Sequence, residues 1–250
     1  RIDRIMSVRL CKWALVLAAV AWMPGWVALD AGAQIDIGSR RQLLVDDALI
    51  DSLTGVEFYL HEPEQEPRSS SPLPNRHYKT VIKDGDLYRA YYRGDDPGYT
   101  GPSYSGDPGE VTYYAESTNG VDWTFPDLGI CEVNGSVHNN AVLAAQPPFS
   151  ANFTPFLDTR SDVPDSERYK ALAGHPFGGE NVGGDPPPPS EWDGLHAFTS
   201  PNGVHWTKVS EEPVIPYDES AGWGFAFGSQ NCSFWSEAEQ QYVCYFRTRQ

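Results

Sequence analysis

Positive charge is scarce in this chain. Its 250 residues hold 18 Lys and Arg against 34 Asp and Glu, a net charge of −16. Nucleic acid and anionic membrane both select a basic footprint, so this balance excludes them as partners and suits a neutral or cationic one. Cysteine is scarce as well, with four residues. Cys11 lies in the leading segment, which leaves Cys131, Cys232 and Cys244. An odd number is no disulfide scaffold, and no spacing matches a zinc site. Cys232 and Cys244 fall on the two arms of an expected hairpin, where they either bridge or, as we favour, remain buried free thiols. Long apolar runs are missing beyond the N-terminus, and no window keeps a 3.6-residue period for three turns. With 23 Gly and 21 Pro, the chain is interrupted too often for long helices. No motif calls for a cofactor or a metal.

The one apolar run reads as a secretory signal over residues 1–33. Arg9 and Lys12 form a basic region, Trp13-Ala-Leu-Val-Leu-Ala-Ala-Val-Ala-Trp-Met23 an apolar core, and Ala31-Gly-Ala33 a small-residue cleavage site. It is short for a membrane span. Cleavage leaves residues 34–250 with 14 basic against 32 acidic residues, a net charge of −18. The expectation is a secreted or periplasmic protein with no membrane association after cleavage.

What the chain does have is a phrase written twice. Ser117-Thr-Asn-Gly-Val-Asp-Trp123-Thr124 returns 83 residues later as Ser200-Pro-Asn-Gly-Val-His-Trp206-Thr207. Each copy sets Asn-Gly between runs rich in aromatic and β-branched residues, a strong hairpin signal. A second hairpin precedes each copy. The first is Thr80-Val-Ile-Lys-Asp-Gly-Asp-Leu-Tyr88 running to Arg93. The next goes from Asn152-Phe-Thr-Pro-Phe-Leu157 through a turn at Pro164-Asp-Ser to Arg168-Tyr169. A third version starts at Gln230 and continues through Tyr242 to Arg247. Tyr88, Tyr169 and Tyr242 open the second strand, 81 and 73 residues apart.

Each unit is therefore four short antiparallel strands, A to D, and the array reads as an all-β protein of the β-propeller type. About two and a half four-stranded blades are present: blade one about 76–130, blade two about 150–215, and half of blade three about 229–250, in one domain over 34–250. The chain stops after the strand Tyr242-Val-Cys-Tyr-Phe246 and starts without a methionine. We read it as the N-terminal part of a longer propeller, five-bladed in full length.

In such a meander the A–B and C–D turns share one end of the blade, and the B–C and D–A connections the other. The first kind is short, at Asp84-Gly85, Asn119-Gly120, Asn202-Gly203 and Glu237-Ala-Glu239. The second kind is long: 94–109, 175–192, 130–150 and 211–228. Long loops without secondary structure are usually functional or disordered, so their rim is the expected site.

Strand A begins at that rim and offers His77, Tyr78, Asn152, Gln230 and Asn231 as substrate contacts. Strand B ends there with Arg93 and Arg247, each five residues after its tyrosine, where blade two has Gly174. An arginine suits substrate oxygens, and equally a carboxylate on a neighbouring blade. Asp95 and Asp96 follow Arg93 as candidate acid or base. Asp47 lies with Asp46 in an apolar leading strand, Gln42-Leu-Leu-Val-Asp-Asp-Ala-Leu-Ile50, where a buried carboxylate needs a partner or a task. Asp158 falls at the opposite end and is set aside. Trp123 and Trp206 read as packing residues, whereas Trp192 and Trp223 in rim loops are candidates to stack on a ligand. Asn134, Asn152 and Asn231 each head an Asn-x-Ser/Thr sequence.

Lys83-Asp-Gly-Asp-Leu-Tyr88 followed by Tyr113-Tyr-Ala-Glu-Ser-x-Asn-Gly-Val-x-Trp123 resembles the five-bladed propeller glycoside hydrolases, families 32 and 43 and their relatives. Leu43-Leu-Val-Asp-Asp47, Asn152-Phe-Thr-Pro-Phe156 and Ser229-Gln-Asn231 are similar to a secreted bacterial branch of them. The likeness spans about residues 42–247. It implies an acidic set at the channel mouth, matching the two-carboxylate logic of glycoside hydrolysis. The chain departs from the pattern at Asn75-Arg-His-Tyr78, with no aspartate opening strand A. The expected function is glycan hydrolysis by carboxylate acid/base chemistry, with Asp47, Asp95 and Asp96 as candidate acids. The rival is a carbohydrate-binding propeller without catalysis, and a protein-interaction platform would instead present an apolar rim. Two channel-facing carboxyls within about 5–10 Å would favour hydrolysis.

Overall fold

The computed structural model describes residues 38, 49–64, 69–101, 109–146, 148–174, 194–228 and 230–249. The expected signal over 1–33, Asp47 with most of its leading strand, and Trp192 lie outside them. The chain divides into two units, 1–64 and 65–250. In the first, residues 50–64 form no strand or helix, and Val56, Phe58 and Leu60 are exposed. No described helix is long and apolar enough to cross a membrane.

The second unit is all-β: its described elements are antiparallel strands and two 3-10 turns, Asp165–Glu167 and Glu219–Ala221. The first sheet has the order β1 (Thr80–Asp84), β2 (Leu87–Asp95), β3 (Glu110–Ser117), β4 (Ala141–Leu143). The second runs β5 (Thr154–Leu157), β6 (Tyr169–Gly174), β7 (Gly194–Ser200), β8 (Thr207–Lys208), with β9 (Ile215–Pro216) also on β7. Two ladders follow: β11 (Cys232–Ser236) with β12 (Gln241–Tyr245), and β10 (Phe225–Ala226) with β13 (Thr248–Arg249).

The doubled phrase folds the same way twice, and its residues explain why. The Oγ of Ser117 accepts the N–H groups of Asn119 and Gly120, and Asn119 Oδ1 accepts those of Val121 and Asp122. Ser200 and Asn202 repeat these bonds to Asn202, Gly203, Val204 and His205. Serine and asparagine thus satisfy four backbone donors that a seven-residue loop leaves over. Gly120 and Gly203 sit at φ 75° and 74°, a conformation that costs other residues. Asn-Gly is therefore not a two-residue turn here, because the hairpin closes only at Glu116–Thr124 and Thr199–Thr207. The variable position has its own use: Asp122 Oδ1 accepts from Ser69 Oγ and from the N–H and Oγ of Ser70, tying residues 69–71 to the first loop. These bonds lower its pKa to about 2.

The fourth strand of each sheet is split. In the first sheet Thr124 pairs with Glu116, residues 125–140 leave, and β4 returns to Thr112 and Tyr113. In the second, β8 pairs with Phe198 and Thr199, and β9 with Gly194 and Leu195. The stretches 130–150 and 211–228, expected as plain loops, thus each contain strand. The reason is burial, since Ala141, Val142 and Leu143 all lie in the core.

Between the two sheets Ile82, Tyr91, Tyr114, Val142 and Tyr169 pack together, with Leu143, Phe149, Phe153, Ala171, Ala173 and Phe198 beside them. Trp206 meets Phe153 edge-on at 4.9 Å, and Trp123 packs on the other face of the first sheet with Ala90, Tyr92 and Ala115. On its far side the second sheet buries Leu172 and Leu195 against Ala226 and Phe227.

A polar clasp recurs at the end bearing the doubled loops. Asp84, closing β1, takes the hydroxyl of Tyr169 and two nitrogens of Arg168, with Arg89 3.7 Å away. Asp158, just past β5, takes the hydroxyl of Tyr242 at 2.7 Å and Lys170 Nζ at 3.2 Å. The acid ending each first strand binds the tyrosine that opens the second strand of the following unit, 85 and 84 residues on.

Candidate functional site

The opposite end gathers the polar residues that the sequence singled out. β1 pairs with β2 as Thr80 opposite Tyr91, and in step with that register Tyr78 meets Arg93 and Arg76 meets Asp95. The contacts agree: the Arg93 guanidinium carbon lies 4.6 Å from the Tyr78 ring centre, and Arg76 Nη1 lies 3.3 Å from Asp95 Oδ2. On the other side β3 places Thr112 opposite Arg93 and Glu110 opposite Asp95. Residues directly opposite in an antiparallel pair share a face, with Cβ atoms about 4.5–5.5 Å apart. Asp95 and Glu110 are therefore a carboxylate pair across one ladder step. Arg93, two residues before Asp95 and on the same face, pairs with Glu110 at 3.1 Å.

The two acids differ in environment. The Asp95 side chain is 58% exposed and that of Glu110 only 7%. Sequence reading missed Glu110, which opens β3 at the end of the long 94–109 connection. The signal was its place in the register, three residues before the Tyr113-Tyr114 pair, and that becomes readable only once β2 and β3 are paired. Asp96 has a structural duty, since its Oδ1 accepts the N–H groups of Gly98 and Asn134, both at 2.8 Å. The Tyr113 hydroxyl donates to the Asp95 carbonyl at 3.3 Å, and burial, then Asp96, raises its pKa and keeps it a donor.

The remaining candidates divide in two groups. His77 is exposed, and its carbonyl accepts the Arg93 N–H. Gln230 bridges the entries of β11 and β1, its Nε2 donating to the Lys79 carbonyl and Thr80 Oγ1. It lines a cavity of about 390 Å³ between β1, β5 and β11, the first strands of the three units. Asn152 and Asn231 are buried and engaged with backbone. Both Nδ2 groups donate to the Phe227 carbonyl, and Asn152 Oδ1 accepts the Gly174 N–H. Arg247 is exposed, 5.2 Å from the Phe225 ring centre, and its carbonyl accepts the Phe227 N–H. Trp223 packs among Phe227, Phe246 and Tyr217. Of the three Asn-x-Ser/Thr asparagines, Asn134 alone is exposed.

Backbone strain concentrates at this end. Tyr78 and Phe227 adopt φ 52° and 64°, Tyr78 two residues before β1 and Phe227 directly after β10. Such a conformation costs about 1–3 kcal/mol and persists where surroundings over-determine it. Phe227 shows how: its peptide takes two asparagine amides and gives one N–H, while its ring is fully buried.

Among the described residues no three His, Cys, Asp or Glu cluster as metal ligands. Cys131, Cys232 and Cys244 are free thiols. Cys232 stands opposite Tyr245 and Cys244 opposite Ser233, so register puts the two on opposite faces of their hairpin. Comparison with family models, curated proteins and solved structures finds no match to this chain.

Proposed function

We propose that the chain is a secreted, carbohydrate-active protein built as part of a β-propeller, which binds a glycan at the Tyr78–Arg93 end and hydrolyses it with Asp95 and Glu110. The observation that carries this reading is the facing of these two carboxylates across one ladder step. Glycoside hydrolysis needs two carboxyls about 5–5.5 Å apart for retention or about 6.5–9.5 Å for inversion, and the register sets these two residues opposite each other on one face. Glu110, buried and paired with Arg93, is the base or nucleophile of this reading. Asp95 is open to solvent, so a sugar laid over it displaces water and competes for Arg76. That exposed place suits it to meet the glycosidic oxygen as the general acid. Tyr78 and Arg93 offer a ring face and several donors to the same sugar. The propeller reading rests on the two complete four-stranded units and on the cavity between their first strands. Secretion rests on the N-terminal residues alone.

A second reading, glycan binding without hydrolysis, is favoured by one feature: each carboxylate already has an arginine as partner. One experiment separates them. The protein, Asp95→Asn and Glu110→Gln are screened on a glycan panel for both hydrolysis and binding. Hydrolysis reduced by about 10²–10⁴ in each variant, with binding kept, supports catalysis. Binding by the parent without turnover, lost in both variants, supports the second reading. Neither binding nor turnover by the parent sinks both.

A further inference from the structure

We infer that Asn134 is a site of spontaneous deamidation, through succinimide formation with Gly135, and that the other two Asn-Gly pairs of the chain are protected. The reaction needs the Gly backbone nitrogen free to attack and the Asn side-chain carbonyl free to be attacked. The three pairs are chemically alike and differ only in what the fold does with those groups. In the two repeated loops the glycine N–H donates to serine, Gly120 to Ser117 Oγ at 2.9 Å and Gly203 to Ser200 Oγ at 2.8 Å. The asparagine Oδ1 in each accepts two backbone N–H groups, at 2.9 Å in the first copy and 3.0 Å in the second. Nucleophile and electrophile are both tied down.

Asn134-Gly135 is different. It forms the tip of a two-residue turn closed by reciprocal bonds between Val133 and Ser136, and φ is 49° and 75° at its two residues. Both tip residues are exposed. Among the described residues neither the Gly135 N–H nor the Asn134 side-chain amide has a hydrogen-bond partner.

The chemistry balances with water as the one co-reactant. A bond forms from Gly135 N to Asn134 Cγ, the Cγ–Nδ2 bond breaks, and ammonia leaves. Water then opens the ring at either carbonyl to give aspartate or isoaspartate. The product carries a new negative charge, and isoaspartate lengthens the backbone by one carbon. Both changes fall where the Asn134 N–H binds Asp96 Oδ1 at 2.8 Å, in the segment following Asp95.

The test is peptide mass mapping of the whole chain, aged at neutral to mildly alkaline pH both native and in concentrated urea. Conversion at Asn134 at least tenfold faster than at Asn119 and Asn202 when native, falling to comparable rates in urea, is the expected result. Gly135→Ala should abolish the difference. Equal native rates, faster conversion at either repeat, no conversion at Asn134, or an Asn134 preference that survives in urea each overturns the inference.

Discussion

Replacing Tyr242 by Phe tests whether the recurring clasp joins consecutive units. The hydroxyl donates at 2.7 Å to Asp158, whose side chain is 0% exposed. A hydrogen bond to a charged group contributes about 1.5–3 kcal/mol, so the variant should lose about that much. Lys170 Nζ and the Arg160 N–H still serve the carboxylate, which keeps the loss from growing further. The ring contacts to Phe156 and Trp235 survive in phenylalanine. With a urea slope of about 2 kcal/mol/M the midpoint should fall by about 1 M at unchanged slope. Tyr245→Phe, at an exposed ring, is the control and should stay within about 0.5 kcal/mol. Acid gives an independent reading. Burial alone would raise the Asp158 pKa, but the Tyr242 hydroxyl, the Arg160 N–H and Lys170 together hold it below its ordinary value. A group depressed in the fold stabilises above its unfolded pKa, about 3.9, and that stability is lost as pH falls through the folded value. The parent should therefore lose more stability than Asp158→Asn below about pH 4. A Tyr242→Phe midpoint equal to the parent's, with the same acid response, would refute the clasp.

Gly203→Ala and Gly120→Ala should differ, although both glycines have the same backbone. A left-handed residue costs either about 1–2 kcal/mol. At Gly203 the added methyl also meets the Tyr91 hydroxyl at 2.6 Å and disturbs its bond to the Gly203 carbonyl, whereas at Gly120 nothing lies closer than 3.6 Å. Thermal melts should rank Gly203→Ala clearly lower, and equal melting points would contradict the geometry. Asp122→Ala should free residues 69–71, seen as faster amide exchange at Ser70 with the sheets still protected. Because the folded pKa is depressed to about 2, acidification of the parent should release the same segment only as pH approaches that value.

The repeat made the strand order legible because it is written in local chemistry: turn residues, alternating aromatics and a fixed spacing. Elements whose partner lies far along the chain were not legible. β4 has three apolar residues, and nothing near them says that they rejoin β3 after a sixteen-residue excursion. Glu110 looked like any loop acid until pairing set it opposite Asp95. Asp158 was set aside for lying at the wrong end, yet that end is where it binds Tyr242. Its spacing was available all along, since Asp84 precedes Tyr169 by almost the same interval as Asp158 precedes Tyr242. The amides also carry a structural duty that the sequence did not announce. Asn152 and Asn231 resemble substrate contacts in sequence, and the fold uses both to hold one left-handed peptide.

The two ends of the units treat polar residues differently, and the difference argues for where function lies. At the end of the doubled loops the acids are largely shielded and multiply bonded: Asp84 faces two arginines and a tyrosine, and buried Asp158 a lysine, an arginine and a tyrosine. Such a network rigidifies and leaves no group to respond to a ligand. At the other end the pairing is lopsided, with buried Glu110 on Arg93 and exposed Asp95 on exposed Arg76. A carboxylate whose arginine partner is itself exposed can exchange that partner for a ligand at little cost in packing. The strained peptides at Tyr78 and Phe227 flank the same end. The glycan site we propose therefore sits with Asp95 and Glu110, and the repeated phrase sits at the end that carries the clasps.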